Sequence, residues 1–479
     1  MQSTVGEVVA WSFPSSIGVA AASTALGAIA AAGVADGARS ARFRRALPLL
    51  LCWGIPPLAL GYGLSPLVFK FTGDTVSLEA LYLIIVTCRL AALAGLAFLF
   101  LPKAVPPEAL HAFNMASMDD GRGGLASLAR RIRFLIISGG GTRVASVFFL
   151  VFLVAFGDFE LASMLNVQRW TTAAFDACSQ GRSAAEVAGA YAIPCLAQLL
   201  VATAFLALLP RGGGESPFTL DESGNVGKGP SRNLRRVSLL AAWLIPAVAA
   251  GFPVFVICRG AFKGLSGVLR SPWMLSETFS SFLFATAAVT SAWGVAKAVS
   301  ILKRRRLAAT AATLPGLLGA FPLSLAILSL FQSPLFLPLR DKPAPLFIAL
   351  TLLSVPYALA AVLLGEAFAD GESLHSARIA ENLDGKKRLA LRWTLKTQAT
   401  AVMMAIVFAY AYFELTASAI LAPSATPTLS TRLFNLAHYG ESERLSATIL
   451  LVSILPAALL ALAAAPALAA RRRGKRASK

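Results

Sequence analysis

Long apolar stretches separated by short polar ones run from end to end of the chain. Eleven of them, near 13–35, 46–66, 80–101, 144–164, 191–210, 237–260, 276–300, 308–331, 345–369, 397–421 and 446–470, are long enough to cross a bilayer, since about 20 apolar residues span roughly 30 Å of hydrocarbon as a helix. Transmembrane strands would instead alternate apolar and polar residues over about ten positions. Backbone N–H and C=O groups find no water in lipid, so helices that satisfy their own hydrogen bonds are the expected elements. The pattern predicts an all-α, polytopic membrane protein of about eleven transmembrane helices.

Composition agrees, with 57% of residues hydrophobic, 14% charged and a mean hydropathy of +0.69. The formal charge of +19 raises the question of nucleic acid, and the positions of the basic residues answer it. Of the 43 Lys and Arg residues, 31 lie in alternate polar segments, at 35–46, 102–143, 211–236, 303–306, 370–396 and 471–479. The N-terminal tail and the intervening segments hold 10, counting Arg259 at the end of the 237–260 stretch. Such alternation is the positive-inside pattern of membrane proteins and predicts an N-terminus outside and a C-terminus in the cytoplasm. The basic run Arg471–Arg476 reads as a contact with anionic lipid rather than nucleic acid. No CxxC pair occurs among the five cysteines, which argues against a zinc or redox motif. The N-terminus carries no basic n-region, so the first apolar stretch reads as a retained helix rather than a cleaved signal.

Internal similarity divides the chain in two. Glu108-Ala-Leu-His111 followed by Asp120-Gly121 recurs as Glu372-Ser-Leu-His375 followed by Asp384-Gly385, at a constant offset of 264. Gly157–Leu161 matches Ala411–Leu415 at an offset of 254, and Thr172, Phe175, Gly181 and Ser183 match Thr431, Phe434, Gly440 and Ser442 at 259. The change of five is an insertion in a turn-rich segment around 422–427, where loops tolerate it. The Pro57 and Pro322 regions align near 265. The first stretch corresponds to the seventh, and an even displacement keeps orientation, so the two halves are expected to be parallel. They run over 1–210, with about five helices, and 237–479, with about six. A Gly-rich polar linker, 211–236, joins them. The stretch 237–260 has no counterpart in the first half.

Phe413-Glu-Leu-Thr-Ala-Ser418, Pro423, Thr428-Leu-Ser-Thr-Arg432 and Asn435–Gly440, with the weaker echo Phe159-Glu-Leu-Ala-Ser163 and Trp170-Thr-Thr172, carry a family resemblance. They are similar to the last conserved stretch of the fused, two-lobed permease subunits of binding-protein-dependent ABC importers, in the ferric-iron and thiamine group. The resemblance implies a type I ABC importer permease fold in a bacterial inner membrane, two separate ATP-binding-cassette ATPase subunits beneath and a periplasmic solute-binding protein above. It implies ferric iron first as substrate, with thiamine, polyamine or another small solute as alternatives. In that family each half docks on an ATPase through a cytoplasmic loop marked Glu-Ala-Ala, three residues, then Gly. Here the Gly matches Gly121 and Gly385, whereas Met115–Asp120 and Ile379–Asp384 lack the leading Glu. The docking loops implied are Glu108, His111, Asp120 and Gly121 in one half and Glu372, His375, Glu381, Asp384 and Gly385 in the other.

The sequence lacks Gly-x-x-x-x-Gly-Lys-[Ser/Thr], the backbone cradle and lysine that hold nucleotide phosphates. ATP and its Mg²⁺ are therefore expected on a partner ATPase, with no catalytic residue and no cofactor on this chain. His111 and His375 have no second His or Cys at ligand spacing, so no metal site is expected.

Four ionisable residues fall within apolar stretches and are candidates for a translocation pathway: Glu160, Glu414, Asp158 and Arg89. Glu160 and Glu414 are matched across the repeat. At 1.5 Å per residue each lies about 24 Å up a core of about 30 Å, entered from the cytoplasm. Snorkelling to the outer interface or capping a neighbouring helix is the alternative role for both. Arg89 is expected to pair with another helix, Asp158 or Glu160 being within conceivable reach. Two other function classes remain open, an ion-gradient-driven secondary transporter with parallel halves and a permease-derived protein that has lost its coupling.

Overall fold

The structure, a computed structural model, describes residues 5–35, 39–101, 113, 115, 140–209, 232–302, 305–368 and 398–477. The residues expected to form docking loops, Glu108, His111, Asp120, Gly121, Glu372, His375, Glu381, Asp384 and Gly385, lie outside the described residues, as does 211–231 of the expected linker. Among the described residues every regular element is helical. In the first half these are α1 (Val5–Ala35), α2 (Arg39–Gly54), α3 (Pro57–Gly63), α4 (Ser65–Lys70), α5 (Thr75–Phe100), α6 (Gly140–Phe156), α7 (Glu160–Met164), α8 (Trp170–Ser179), α9 (Ala184–Ala190) and α10 (Ala192–Leu208). Then follow α11 (Arg232–Pro246), a π turn over Ala247–Gly251, α12 (Phe252–Leu269), α13 (Trp273–Ile301), α14 (Arg305–Leu317) and α15 (Ala320–Phe331). The last are α16 (Ala344–Phe368), α17 (Gln398–Phe413), α18 (Thr416–Leu421), α19 (Leu429–His438) and α20 (Ser442–Ala477).

Six helical segments among the described residues are long and apolar enough to cross a membrane, and three bent pairs raise the number to nine. Two further apolar helices, Gly140–Phe156 and Thr400–Phe413, are shorter. Large apolar side chains such as Leu200, Trp243, Phe262 and Leu275 stand exposed on these helices, which suits a lipid-facing surface. The chain is thus an all-helical, polytopic membrane protein.

Several stretches expected as continuous helices are broken. The 46–66 stretch bends by 86° between α2 and α3 and 308–331 by 93° between α14 and α15, whereas 191–210 is one helix, α10, which the preceding α9 meets at 73°. The first break coincides with Ile55-Pro56-Pro57, because proline donates no N–H and its ring clashes with the preceding turn. The second falls at Gly319, whose φ of +88° lies in the left-handed region open to glycine. In 144–164 and 397–421 the long helix stops at Phe156 and Phe413, and a separate short helix follows.

The long helices of each half pack in corresponding pairs, α1 on α5 and α6, and α13 on α16 and α17. Of the short helices, α7 lies against α3 and α18 against α15. The α11–α12 pair, without a counterpart in the first half, bridges the chain: α11 packs on α1, α2 and α5, and α12 on α3 and α20. Close approach makes this bridge possible. A Cβ on Gly264 would collide with the backbone carbonyl of Glu443 on α20, so helix backbones touch there as small residues allow in membranes. Gly264→Leu is expected to destabilise the protein by roughly 1–3 kcal/mol through overpacking, read as a lowered melting temperature in detergent. An unchanged melt would show that α12 can move away at no cost.

Candidate pathway site

Each half carries a short helix, α8 or α19, anchored in the same manner to the long helices. The backbone N–H of Trp170, at the start of α8, donates to Ser12 Oγ on α1 at 3.1 Å, and that of Leu429, at the start of α19, to Ser281 Oγ on α13 at 2.8 Å. The next residue, Thr171 or Ser430, donates its hydroxyl to the carbonyl of Asp158 or Tyr412, at 2.7 and 3.3 Å. Helix starts leave N–H groups without intrahelical partners, which is why side-chain oxygens collect there. Beyond both helices the chain turns through Gly181, φ +87°, and Gly440, φ +73°.

An arginine clasps each short helix, although the two are not at matched positions. Arg169, almost fully buried, bonds Glu79 of α5 and stacks over the Tyr82 ring at 4.6 Å. Arg432 forks onto Glu277 of α13 at 2.5–3.1 Å and lies over the Trp273 ring at 5.0 Å. The Glu277 hydrogen bonds hold the Arg432 guanidinium above its usual pKa, since a bonded carboxylate favours the charged form. Repeat matching overlooked both clasps because position 169 corresponds to Thr428, not to Arg432.

Four phenylalanines meet between the two short helices. Phe159 lies 4.6 Å from Phe175 and 6.5 Å from both Phe321 and Phe434, ring centre to ring centre. Phe175 and Phe434, matched across the repeat, meet edge to face at 6.3 Å, a favoured aromatic geometry.

Glu160 follows Phe159 of this cluster directly, and it and Glu414 sit at helix breaks. Glu160 opens α7, and Glu414 lies two residues before α18. Both are buried, and both turn onto the start of α18. Glu160 Oε1 accepts the N–H of Leu415 at 3.0 Å, and Glu414 Oε1 accepts the N–H of Ala417 at 3.1 Å. The first bond joins residues of different halves. Glu160 Oε2 is buried and has no hydrogen-bond partner among the described residues.

Asp158 accepts the Tyr82 hydroxyl at 3.1 Å. Arg89 makes no ion pair with Asp158 or Glu160 among the described residues, contrary to the expected pairing. Its guanidinium stacks over the Trp53 indole at 4.7 Å, at the end of α2 where the proline break begins, and it remains within electrostatic range of both carboxylates. Three polar residues that the sequence did not single out complete the surroundings. Tyr357 of α16 and Tyr410 of α17 pack ring to ring at 4.9 Å within electrostatic range of Glu414. Gln198 of α10 is fully buried, its amide has no partner among the described residues, and it abuts both Gly157 and Gly319. A polar residue inside an apolar stretch is the signal that could have marked them, but a tyrosine or glutamine there is common enough to pass unremarked.

Comparison of the chain with protein-family models, with curated proteins and with solved structures found no match.

Proposed function

We propose that the chain is the two-lobed membrane permease of an ATP-driven, binding-protein-dependent importer, in which both halves form one translocation pathway. The observation that carries this reading is the meeting of matched carboxylates between the halves, with Glu160 of one bonded to Leu415 of the other. Breaks flanked by buried carboxylates are how membrane transporters expose polar groups where a substrate passes. The paired serine and glycine contacts of α8 and α19 support two parallel copies of one unit. In this reading α6 with α7 and α17 with α18 each complete a crossing, giving eleven in all. The phenylalanine cluster closes the outer end. Two ATPase subunits bind the cytoplasmic loops around Gly121 and Gly385, and a periplasmic binding protein delivers a small solute. ATP-driven closure of the ATPases draws the loops together and rocks the halves apart at the phenylalanines, a two-state change biased by a ligand bound elsewhere.

Pull-down of the tagged chain from its native membranes is expected to recover an ATP-binding-cassette ATPase, and recovery of none would sink the importer reading. Topology offers an independent check. In a background lacking native cysteines, single cysteines at Ser223, Ser373 and Ser478 are expected to be shielded from an impermeant thiol reagent in intact cells, with those at Ser3 and Ser424 labelled. Labelling at 373 from outside would place the docking loops on the wrong side.

The buried carboxylates also favour one competing reading, a secondary transporter driven by an ion gradient. Uptake that persists after ATP depletion but stops with a protonophore would select it.

A further inference from the structure

The seam between α1 and α5, which run side by side in the same direction, is sealed at one end and open at the other. At Gly27 the two backbones touch: an added Cβ would lie 2.5 Å from Ala94 Cβ and 2.7 Å from the Gly95 nitrogen, the close approach that small residues allow between membrane helices. One turn earlier, Ser23 donates its hydroxyl to the Thr87 carbonyl at 3.0 Å. Farther toward the N-terminus the contact ends, and no atom lies within 4 Å of the position a Cβ on Gly18 would take. There the helices part around a groove of about 290 Å³, walled by Trp11, Pro14 and Gly18 of α1 and by Leu83 and Thr87 of α5.

The far end of this groove is polar. Trp11 donates its indole N–H to Glu79 Oε1 at 3.0 Å, and Arg169 bonds the same oxygen. Ser15, which also lines the groove, accepts from a second nitrogen of Arg169. Behind Ser15 a narrower void, sharing Val19 and Leu83 with the groove, ends at Arg169. That side chain is almost wholly buried, and its Nε has no hydrogen-bond partner among the described residues. Buried donors are seldom left so without a reason.

We infer that the groove holds one acyl chain of a phospholipid, with the ester and phosphate oxygens of its headgroup at Trp11, Ser15 and Arg169. An apolar trough, closed at its foot by Ser23 and Gly27 and rimmed at its head by an indole, a hydroxyl and an ion pair, has the polarity of an amphiphile. Both helices are long and apolar enough to cross a membrane, and Ile17 and Ile84 stand exposed on them, so the groove opens onto a surface that lipid covers. Tryptophan favours the boundary between hydrocarbon and headgroups, which sets Trp11 at the depth where the chain ends and the headgroup begins. A second helix, about 10–12 Å across, exceeds this volume in a single turn and does not fit the groove. An ester or phosphate oxygen is also the acceptor that Arg169 Nε lacks. The inference is independent of what the pathway carries and of how transport is driven.

The test is native mass spectrometry of the full chain, released into detergent from nanodiscs of phosphatidylethanolamine and phosphatidylglycerol. Wild type is expected to keep a single phospholipid at a detergent concentration that strips the rest, and Gly18→Leu, which fills the trough, to keep about tenfold less or none. The new side chain meets no atom at Cβ and leucine favours a helix over glycine, so this variant is expected to melt in detergent no lower than wild type. Added phospholipid is expected to raise the melting temperature of wild type by mass action and to leave that of Gly18→Leu unchanged. Gly294→Leu, at an equally open position on α13, is the control and is expected to keep the lipid. A wild-type chain that keeps no phospholipid, or equal retention by wild type and Gly18→Leu, would overturn the inference. Equal loss in Gly18→Leu and Gly294→Leu would do the same, since it would mark the lipid as a general coat on the apolar surface.

Discussion

A chain carrying Gly121→Pro together with Gly385→Pro is expected to recover no ATPase from membranes and to show no ATP-dependent uptake in vesicles, with at least a tenfold loss in each. A docking loop of this kind is a short helix, a turn and a second helix, and the turn needs a residue tolerant of positive φ. Proline cannot adopt it and also removes a backbone donor. Each single mutant leaves one loop intact and is expected to retain part of the ATPase capture, since two linked contacts bind far more tightly than one. Asp120→Arg with Asp384→Arg changes surface charge instead of backbone shape and is expected to act in the same direction. Wild-type uptake by the double glycine mutant would show that these loops, although repeated at a constant offset, do not transmit energy.

Arg432→Leu is the second change expected to have a large effect, with a loss of about 3 kcal/mol in stability. It leaves Glu277, whose side chain is 3% exposed, buried and without its charge partner. Breaking a buried pair from one side costs roughly 3–5 kcal/mol, and the lower end applies because Arg432 is itself 35% exposed. The double change Arg432→Leu with Glu277→Leu is expected to recover most of the loss, because removing both charges leaves nothing uncompensated. Arg169→Leu should cost less. Its partner Glu79 is 21% exposed and keeps a second donor, Trp11 Nε1 at 3.0 Å. Melting temperatures in detergent order the variants, and an Arg432→Leu protein as stable as Arg169→Leu would mean that the clasp on α19 is not buried in the membrane-bound protein.

Local physics made part of this structure legible from residues alone. Runs of apolar side chains announce helices because lipid offers no hydrogen bonds to backbone, and the breaks at Ile55-Pro56-Pro57 and Gly319 belong to residue types that interrupt helices anywhere. The bends within 46–66 and 308–331 were not legible, since hydropathy averages over a window and cannot register a bend within it. Glu160 and Glu414 fall just beyond the ends of the apolar helices that stop at Phe156 and Phe413. Their capping role, left open beside a pathway role, depends on which helix start lies nearest.

By itself the sequence determined the helical class, the apolar segments and the repeated residues, because these follow from side-chain type and spacing along one chain. Tertiary structure alone decided which partners those residues take. Glu160 meets Leu415 across 255 positions, Arg169 finds Glu79 while Arg432 finds Glu277, and Arg89 turns to Trp53 rather than to a carboxylate. Charge and hydrogen-bonding capacity are written in a residue's chemistry, but within an apolar interior their energy depends on distances of a few ångströms. Those distances arise only when separate helices pack.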